Sequence, residues 1–165
     1  AGEKNMRVNK LDGKWVLVTG GGAGIGRAIV LDAAQRGGNI AVCDINPERL
    51  EETRELLEDY GVEVIASVVD VTDRAQVQGF ADLVHSEAGA VDILVNNAGA
   101  VRRGALDALS LDDIDMMLNV NLRGTILCSR AALPLLRRAS RYASMVLRAT
   151  EQGRIPRVQD ILIET

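Results

Sequence analysis

Thr19-Gly20-Gly21-Gly22-Ala23-Gly24-Ile25-Gly26 follows directly on the apolar run Trp15-Val16-Leu17-Val18. The pattern is that of a short buried strand entering a glycine-rich turn and then a helix that begins near Ile25. Such a turn offers unpaired backbone N–H groups and the positive end of a helix dipole to a phosphate. Glycine is required wherever a Cβ would block the turn or hold a pyrophosphate away from the backbone. The same residues also build strand-to-helix turns that bind nothing, so companions decide. Asp44 ends a second apolar run, where a carboxylate can accept hydrogen bonds from the ribose hydroxyls of an adenosine. It would repel a 2′-phosphate, and neither Ala23 nor Ile45 offers a compensating cation, which favours NAD over NADP. Alternatively, Asp44 simply begins the Asn46-Pro47 turn. Asp70-Val71 stands ready to accept from an adenine amino group, or to lead a helix through Asp70-Val71-Thr72-Asp73. A P-loop nucleotidase is disfavoured, because Gly26 is followed by Arg27 and Ala28 rather than by Lys and Ser or Thr.

Strand and helix signals alternate around these residues. Strands are predicted at 14–20, 39–44, 62–69 and 91–96, and helices at 24–37, from Pro47 to a stop at Gly61, and at 73–88 ahead of Gly89. Asn46 reads as an N-cap with Pro47 in the first helical position, and Leu50, Leu57 and Tyr60, with Thr53 and Leu56 between them, read as the apolar stripe of that helix. Ser110 caps a further helix, which is expected to resume, after a break, across 121–138. Uniformly apolar strands separated by amphipathic helices imply a parallel sheet covered on both faces. The fold class is therefore α/β: a doubly wound, Rossmann-type parallel sheet in three αβα layers, with the first and fourth strands adjacent at the switch point. Ligands bind beyond the carboxyl ends of such strands, and Gly20, Gly24, Ile25, Gly26, Asp44, Asp70, Asn97, Ala98 and Gly99 all fall there.

Composition bounds the alternatives. At 165 residues the chain suits one domain that buries roughly two-thirds of its unfolded surface. Residues 1–10 read as an N-terminal extension, 11–140 as the dinucleotide-binding domain, and 141–165 as a helical, lid-like segment. A net charge of −4 argues against nucleic acid or a polybasic membrane anchor as partner. The chain shows neither a span long and apolar enough for a bilayer nor a signal-peptide core, and a cytoplasmic location is expected. Cys43 and Cys128 are isolated in apolar surroundings and read as reduced, buried thiols. His85, the sole histidine, reads as a surface residue and excludes a metal site built from several imidazoles.

Four motifs then coincide. Thr19-Gly20-x-x-x-Gly24-x-Gly26, Asp70-Val71, Asn96-Asn97-Ala98-Gly99 and Asn119-Val120-Asn121-Leu122-Arg123-Gly124 occur in order, and over residues 11 to about 138 the chain resembles the classical short-chain dehydrogenase/reductase family. The resemblance implies a dinucleotide with its pyrophosphate at Gly20, Ile25 and Gly26, and its adenine at Asp70 and Val71. It implies a ribose near Asn97, Ala98 and Gly99, and Val120 as part of the cleft wall. Asn121 would be the helix asparagine whose main chain helps hold a water of the proton relay. The implied reaction is hydride transfer between the nicotinamide and an alcohol or ketone. The implied assembly is a homo-dimer or homo-tetramer formed through long helices, with Ile126, Leu127, Leu133 and Leu136 available for burial.

The family's chemistry also needs a tyrosine to move the proton, a lysine four residues on to lower its pKa from the phenol's usual ~10, and a serine to polarise the substrate oxygen. The tyrosines here are Tyr60 and Tyr142, followed four positions later by Val64 and Val146, and Lys4, Lys10 and Lys14 are the lysines. At family spacing the serine would fall near Arg148, the tyrosine near Leu162 and the lysine past Thr165. Three explanations stand open. In one, a segment holding the fifth strand and the catalytic trio is absent between Arg138 and Ser144, and residues 144–165 are helical and lid-like. In another, the arginine-rich stretch 137–157 is a frameshifted or truncated remnant. In the third, the chain is a non-catalytic NAD-binding module, a sensor or assembly subunit.

Overall fold

In the computed structural model of the chain, which describes residues 11–139 and 143–146, the central strands are buried along nearly their whole length because helices cover both faces of the sheet. Strands β1 (Trp15–Thr19), β2 (Asn39–Asp44), β3 (Val64–Val68), β4 (Ile93–Asn96) and β5 (Ala143–Val146) form one sheet in the order β3-β2-β1-β4-β5. All pairings are parallel, with Val18 beside both Val42 and Val95. The first and fourth strands are neighbours, so the expected switch point is present. Residues of β1 alternate between two cores. Val16 and Val18 pack with Ile29, Val30, Ala33 and Leu57 from helices α1 (Gly24–Gln35) and α2 (Pro47–Leu57). Trp15 and Leu17 pack with Phe80, Val84, Ala132 and Leu136 from helices α3 (Arg74–Ala88) and α5 (Thr125–Leu136) on the opposite face.

Local chemistry sets the helix ends. Asn46 Oδ1 accepts from the Arg49 N–H at 2.7 Å, with Pro47 following it into the first turn. The helix tightens into a 3-10 turn at Glu58–Tyr60 and stops at Gly61, which holds the left-handed φ of 65°. Asp73 caps α3, and the N–H groups of Gln76 and Ala75 hold its carboxyl below the usual carboxylate range. Ser110 Oγ accepts from Asp113 N at 3.1 Å to start α4 (Leu111–Leu118). At the opposite, amino edge of the sheet, the Asp92 carboxylate accepts from Lys14 Nζ at 2.9 Å and from Trp15 N at 3.0 Å, aligning the starts of β1 and β4.

Several expectations are corrected. The break before Asn121 is absent: α4 passes into α5 through a π-helical turn at Asn119–Gly124, with helical dihedrals at its junctions with both. The third strand is shorter at both ends than expected, spanning Val64–Val68. In α2 the buried stripe is Leu50, Thr53 and Leu57, whereas Leu56 and Tyr60 are exposed, because positions 50, 53 and 57 share the helix face toward the sheet. Ala143–Val146 is not helical; it pairs with β4 in register Ile93↔Ala143 to Asn96↔Val146 and forms a fifth strand, where the first of the three explanations has residues from 144 on as helix. A β-permissive Ser-Met-Val next to an open strand edge pairs with that edge, overriding weak local helix periodicity. The N-terminal extension, Tyr142 and the remainder of the lid-like segment lie outside the described residues.

The two adjacent leucines of α2 give a direct test. Leu57→Ala is expected to cost about 2–4 kcal/mol in urea unfolding, through lost transfer energy and a residual cavity, and Leu56→Ala to stay within about 0.5 kcal/mol.

Candidate functional site

The glycine turn is shaped by what lies against it. Gly20 sits at φ 68°, and a Cβ there would stand 2.8 Å from the Ala98 Cα, inside any permissible contact. A Cβ on Gly26 would run into the Gly20 carbonyl oxygen. Helix α1 thus starts pressed against the end of β1, and Ala23 provides no side-chain cap, which leaves first-turn N–H groups for other acceptors. A polar clasp fixes the neighbouring strand end. Asn97 Nδ2 donates to the Thr19 and Gly20 carbonyls at 3.1 and 2.9 Å, while Thr19 Oγ1 accepts from the N–H groups of Asn97 and Ala98 at 3.2 and 3.1 Å. Thr19 is 2 % exposed, so its hydroxyl is shielded from water, while Asn97 keeps one side on the cleft.

Both candidate acidic contacts are already hydrogen-bonded within the chain. Asp44 Oδ2 accepts from Gly22 N at 2.8 Å and its Oδ1 from Asn46 N at 2.9 Å. The turn-forming reading of Asp44 is therefore true in part, and the same carboxylate also braces the glycine turn. Asp70 Oδ1 accepts from both the N–H and the hydroxyl of Thr72 at 2.8 Å, while no donor among the described residues reaches its Oδ2.

These strand ends surround one cleft of about 800 Å3. Gly20, Asp44, Asp70, Val71, Asn97, Ala98, Gly99 and Val120 line it together. Gly24, Ile25 and Gly26 do not line it; they carry the turn into α1, with Gly26 buried beneath. Asn121 also stays out of the lining. Its amide exchanges two hydrogen bonds with the backbone of Ala100, Oδ1 accepting from N and Nδ2 donating to O, both at 2.8 Å. Its own carbonyl accepts from Thr125 Oγ1 at 2.9 Å. The described geometry thus gives the Asn121 side chain a positioning task. Sequence reasoning missed Arg49 and also Asp112, Asp115, Met116 and Asn119, which form the far wall. The last four recur at intervals of three, one and three residues, a single helix face that the spacing downstream of Ser110 could have revealed.

The family model described as short chain dehydrogenase matches residues 14–159. D-threitol dehydrogenase of Mycolicibacterium smegmatis is 45% identical over 123 residues, covering 74% of this chain and 47% of that protein. The 3-oxoacyl-[acyl-carrier-protein] reductase FabG of Thermotoga maritima is 36% identical over 125 residues, covering 76% of this chain and 51% of that protein. A double-mutant short-chain dehydrogenase/reductase of Serratia marcescens superimposes with a TM-score of 0.73 at 37% identity, covering 76% of this chain and 52% of that one. The chain spans about half the length of the curated relatives it matches.

In the core on the α3/α5 face, Cys43 and Cys128 line one small internal cavity with Thr19. Burial pushes the Cys43 thiol well above its ordinary range and the Cys128 thiol up to about 11. A folded-state pKa above the unfolded value of about 8.5 means that the unfolded chain loses these protons first, so stability falls as pH rises beyond that value. At pH 8 neither thiol should react with an aromatic disulfide reagent until the protein opens. Urea titrations should show a loss of stability between about pH 8.5 and 10 that the Cys43→Ala/Cys128→Ala variant reduces.

Proposed function

The chain belongs to the short-chain dehydrogenase family, and we propose that it carries the NAD(H)-binding half of an oxidoreductase acting on an alcohol or ketone. The observation that supports this best is the convergence of the glycine turn and Asp44 on one cleft. At Gly20 the backbone comes so close to Ala98 that a side chain would not fit, so the turn packs against the segment after the fourth strand and is held beside the cleft. Gly20 and Ala23 would face the pyrophosphate from the cleft wall, and Gly24, Ile25 and Gly26, behind that lining, would bring the amino end of α1 and its positive dipole up to it. Asp44 would take the adenosine ribose. An ionised carboxylate offers about four acceptor positions, so its bonds to Gly22 and Asn46 leave capacity for ribose hydroxyls. Asp70 and Val71 would meet the adenine, with the free Asp70 Oδ2 as acceptor, and Asn97, Ala98, Gly99 and Val120 would line the path toward the nicotinamide. Asp44 favours NAD over NADP, since a 2′-phosphate would face its charge.

When bound, the nicotinamide supplies hydride transfer; the described residues bind and orient it. Asn121 would act as a positioning residue by holding Ala100, and through it the loop after the fourth strand. No tyrosine among the 165 residues is followed four positions later by a lysine, so that proton-transfer pair is not part of this sequence. An activity screen across alcohols and ketones separates turnover by this chain from NAD binding without turnover. Leu118, Leu122, Ile126 and Leu133 are exposed along the helix from α4 to α5, which supports a homo-dimer or homo-tetramer built on it. Equilibrium sedimentation should report an oligomer that Leu122→Glu/Ile126→Glu dissociates; a wild-type monomer would reject that assembly.

Asp44→Ala is expected to weaken NAD binding on the order of tenfold, about 1.4 kcal/mol, and to improve the NADP-to-NAD affinity ratio in calorimetric titrations. Unchanged affinities for both would reduce Asp44 to a turn residue.

A further inference from the structure

We propose that Arg27 and Thr53, which do not line the cleft, are positioning residues that orient the pyrophosphate-binding turn from behind. The proposal rests on the cofactor reading above for its functional consequence, and on side-chain geometry for its structural one. Thr53 lies within α2, and its hydroxyl is buried with 0 % of the residue exposed. Its oxygen stands 3.1 Å from the Gly21 carbonyl, 3.2 Å from the Gly22 carbonyl and 3.0 Å from the Arg49 carbonyl. A hydroxyl has one proton to donate, so these three acceptors share it. Arg27 supplies the donors that are lacking. Its Nε donates to Thr53 Oγ1 at 2.9 Å, and its Nη2 donates to the Gly22 carbonyl, to the Arg49 carbonyl at 3.1 Å and to Glu52 Oε2 at 2.8 Å.

The consequence is specific to the turn. The peptide joining Gly21 to Gly22 is held at both ends, its carbonyl near Thr53 and its N–H on the Asp44 carboxylate at 2.8 Å. That peptide cannot rotate without breaking a buried bond. The next peptide, from Gly22 to Ala23, has its carbonyl on the Arg27 guanidinium, and Ala23 is a lining residue of the cleft. A charged donor on a peptide carbonyl polarises that peptide and strengthens its N–H as a donor. The carbonyls of the turn are thereby drawn toward α2, away from a phosphate they would repel. Thr53 and Arg27 also tie the start of α1 to α2, so the turn is anchored to two helices and the tip of β2. Arg27, whose side chain is 24% exposed, adds a fixed positive charge behind the same turn.

The test uses the full chain and three variants, Thr53→Val, Thr53→Ser and Arg27→Gln. NAD and adenosine are titrated separately by calorimetry, because only NAD carries the pyrophosphate. Thr53→Val and Arg27→Gln should each weaken NAD binding on the order of tenfold while adenosine affinity stays within about twofold, and Thr53→Ser should restore NAD binding. Amide exchange gives a ligand-independent reading: the Gly22 N–H should exchange on the order of tenfold faster in Thr53→Val, with α3 amides unchanged. Equal losses for NAD and adenosine, or no loss for either, would overturn the proposal. If the wild-type chain binds neither ligand, the cofactor reading fails, and Gly22 exchange alone decides whether the brace exists: faster exchange in Thr53→Val upholds it, and unchanged exchange removes it.

Discussion

The carboxyl edge of the sheet depends on backbone packed against backbone at Gly20. Its missing side chain lets the end of β1 lie against Ala98, and the missing side chain of Gly26 lets α1 begin against the Gly20 carbonyl. Three elements therefore meet where side chains would have kept them apart. Asn97 and Thr19 convert this approach into a fixed register by exchanging part-buried hydrogen bonds. Each such bond contributes about 1 kcal/mol net, but breaking one partner's bonds would strand the other in a dry site, which costs more. The cleft inherits its rigidity from this contact.

The two cores divide the remaining labour. The face covered by α1 and α2 carries the turn and its braces, while the face covered by α3 and α5 carries the bulkier apolar residues, including Phe80 and Trp15. Helix α4 has no buried residue and serves as a wall of the cleft rather than as part of either core. It can do so because the π turn at Asn119–Gly124 changes the helix phase between a cleft-facing segment and a core-facing one. Such turns cost hydrogen-bond quality and are often found at functional positions. Here Asn121 holds the loop after β4 through Ala100, so the phase change and the cleft wall are mechanically linked.

Polar chemistry is concentrated at one edge. Asp92 and Lys14 at the amino edge make a simple ion pair that aligns two strands. At the carboxyl edge, Asp44, Asp70, Asn97 and Thr19 are each engaged with backbone groups, and they sit beside a row of turn amides. Side chains already committed to the main chain have little freedom left to lose when a ligand arrives, which is the physical meaning of a preorganised site.

The order of strands and helices was legible in the residues, because β1, β2 and β4 are continuous apolar runs and α2 and α4 carry recognisable caps at Asn46 and Ser110. So was the location of the cleft, since Gly20, Asp44, Asp70 and Asn97 all come just after or at the ends of strands, and parallel strands place their ends together. The fates of particular side chains were not legible. Whether Leu56 or Leu57 is buried, whether the chain breaks before Asn121, and whether Ala143–Val146 pairs as a strand depend on which surface each element meets. The same holds for Arg27 and Thr53, twenty-six positions apart in sequence and bonded at 2.9 Å. Local periodicity and capping are properties of neighbouring residues and can be read along the chain. Phase, edge pairing and long-range hydrogen bonds arise only when distant segments are packed together, so tertiary structure alone decides them.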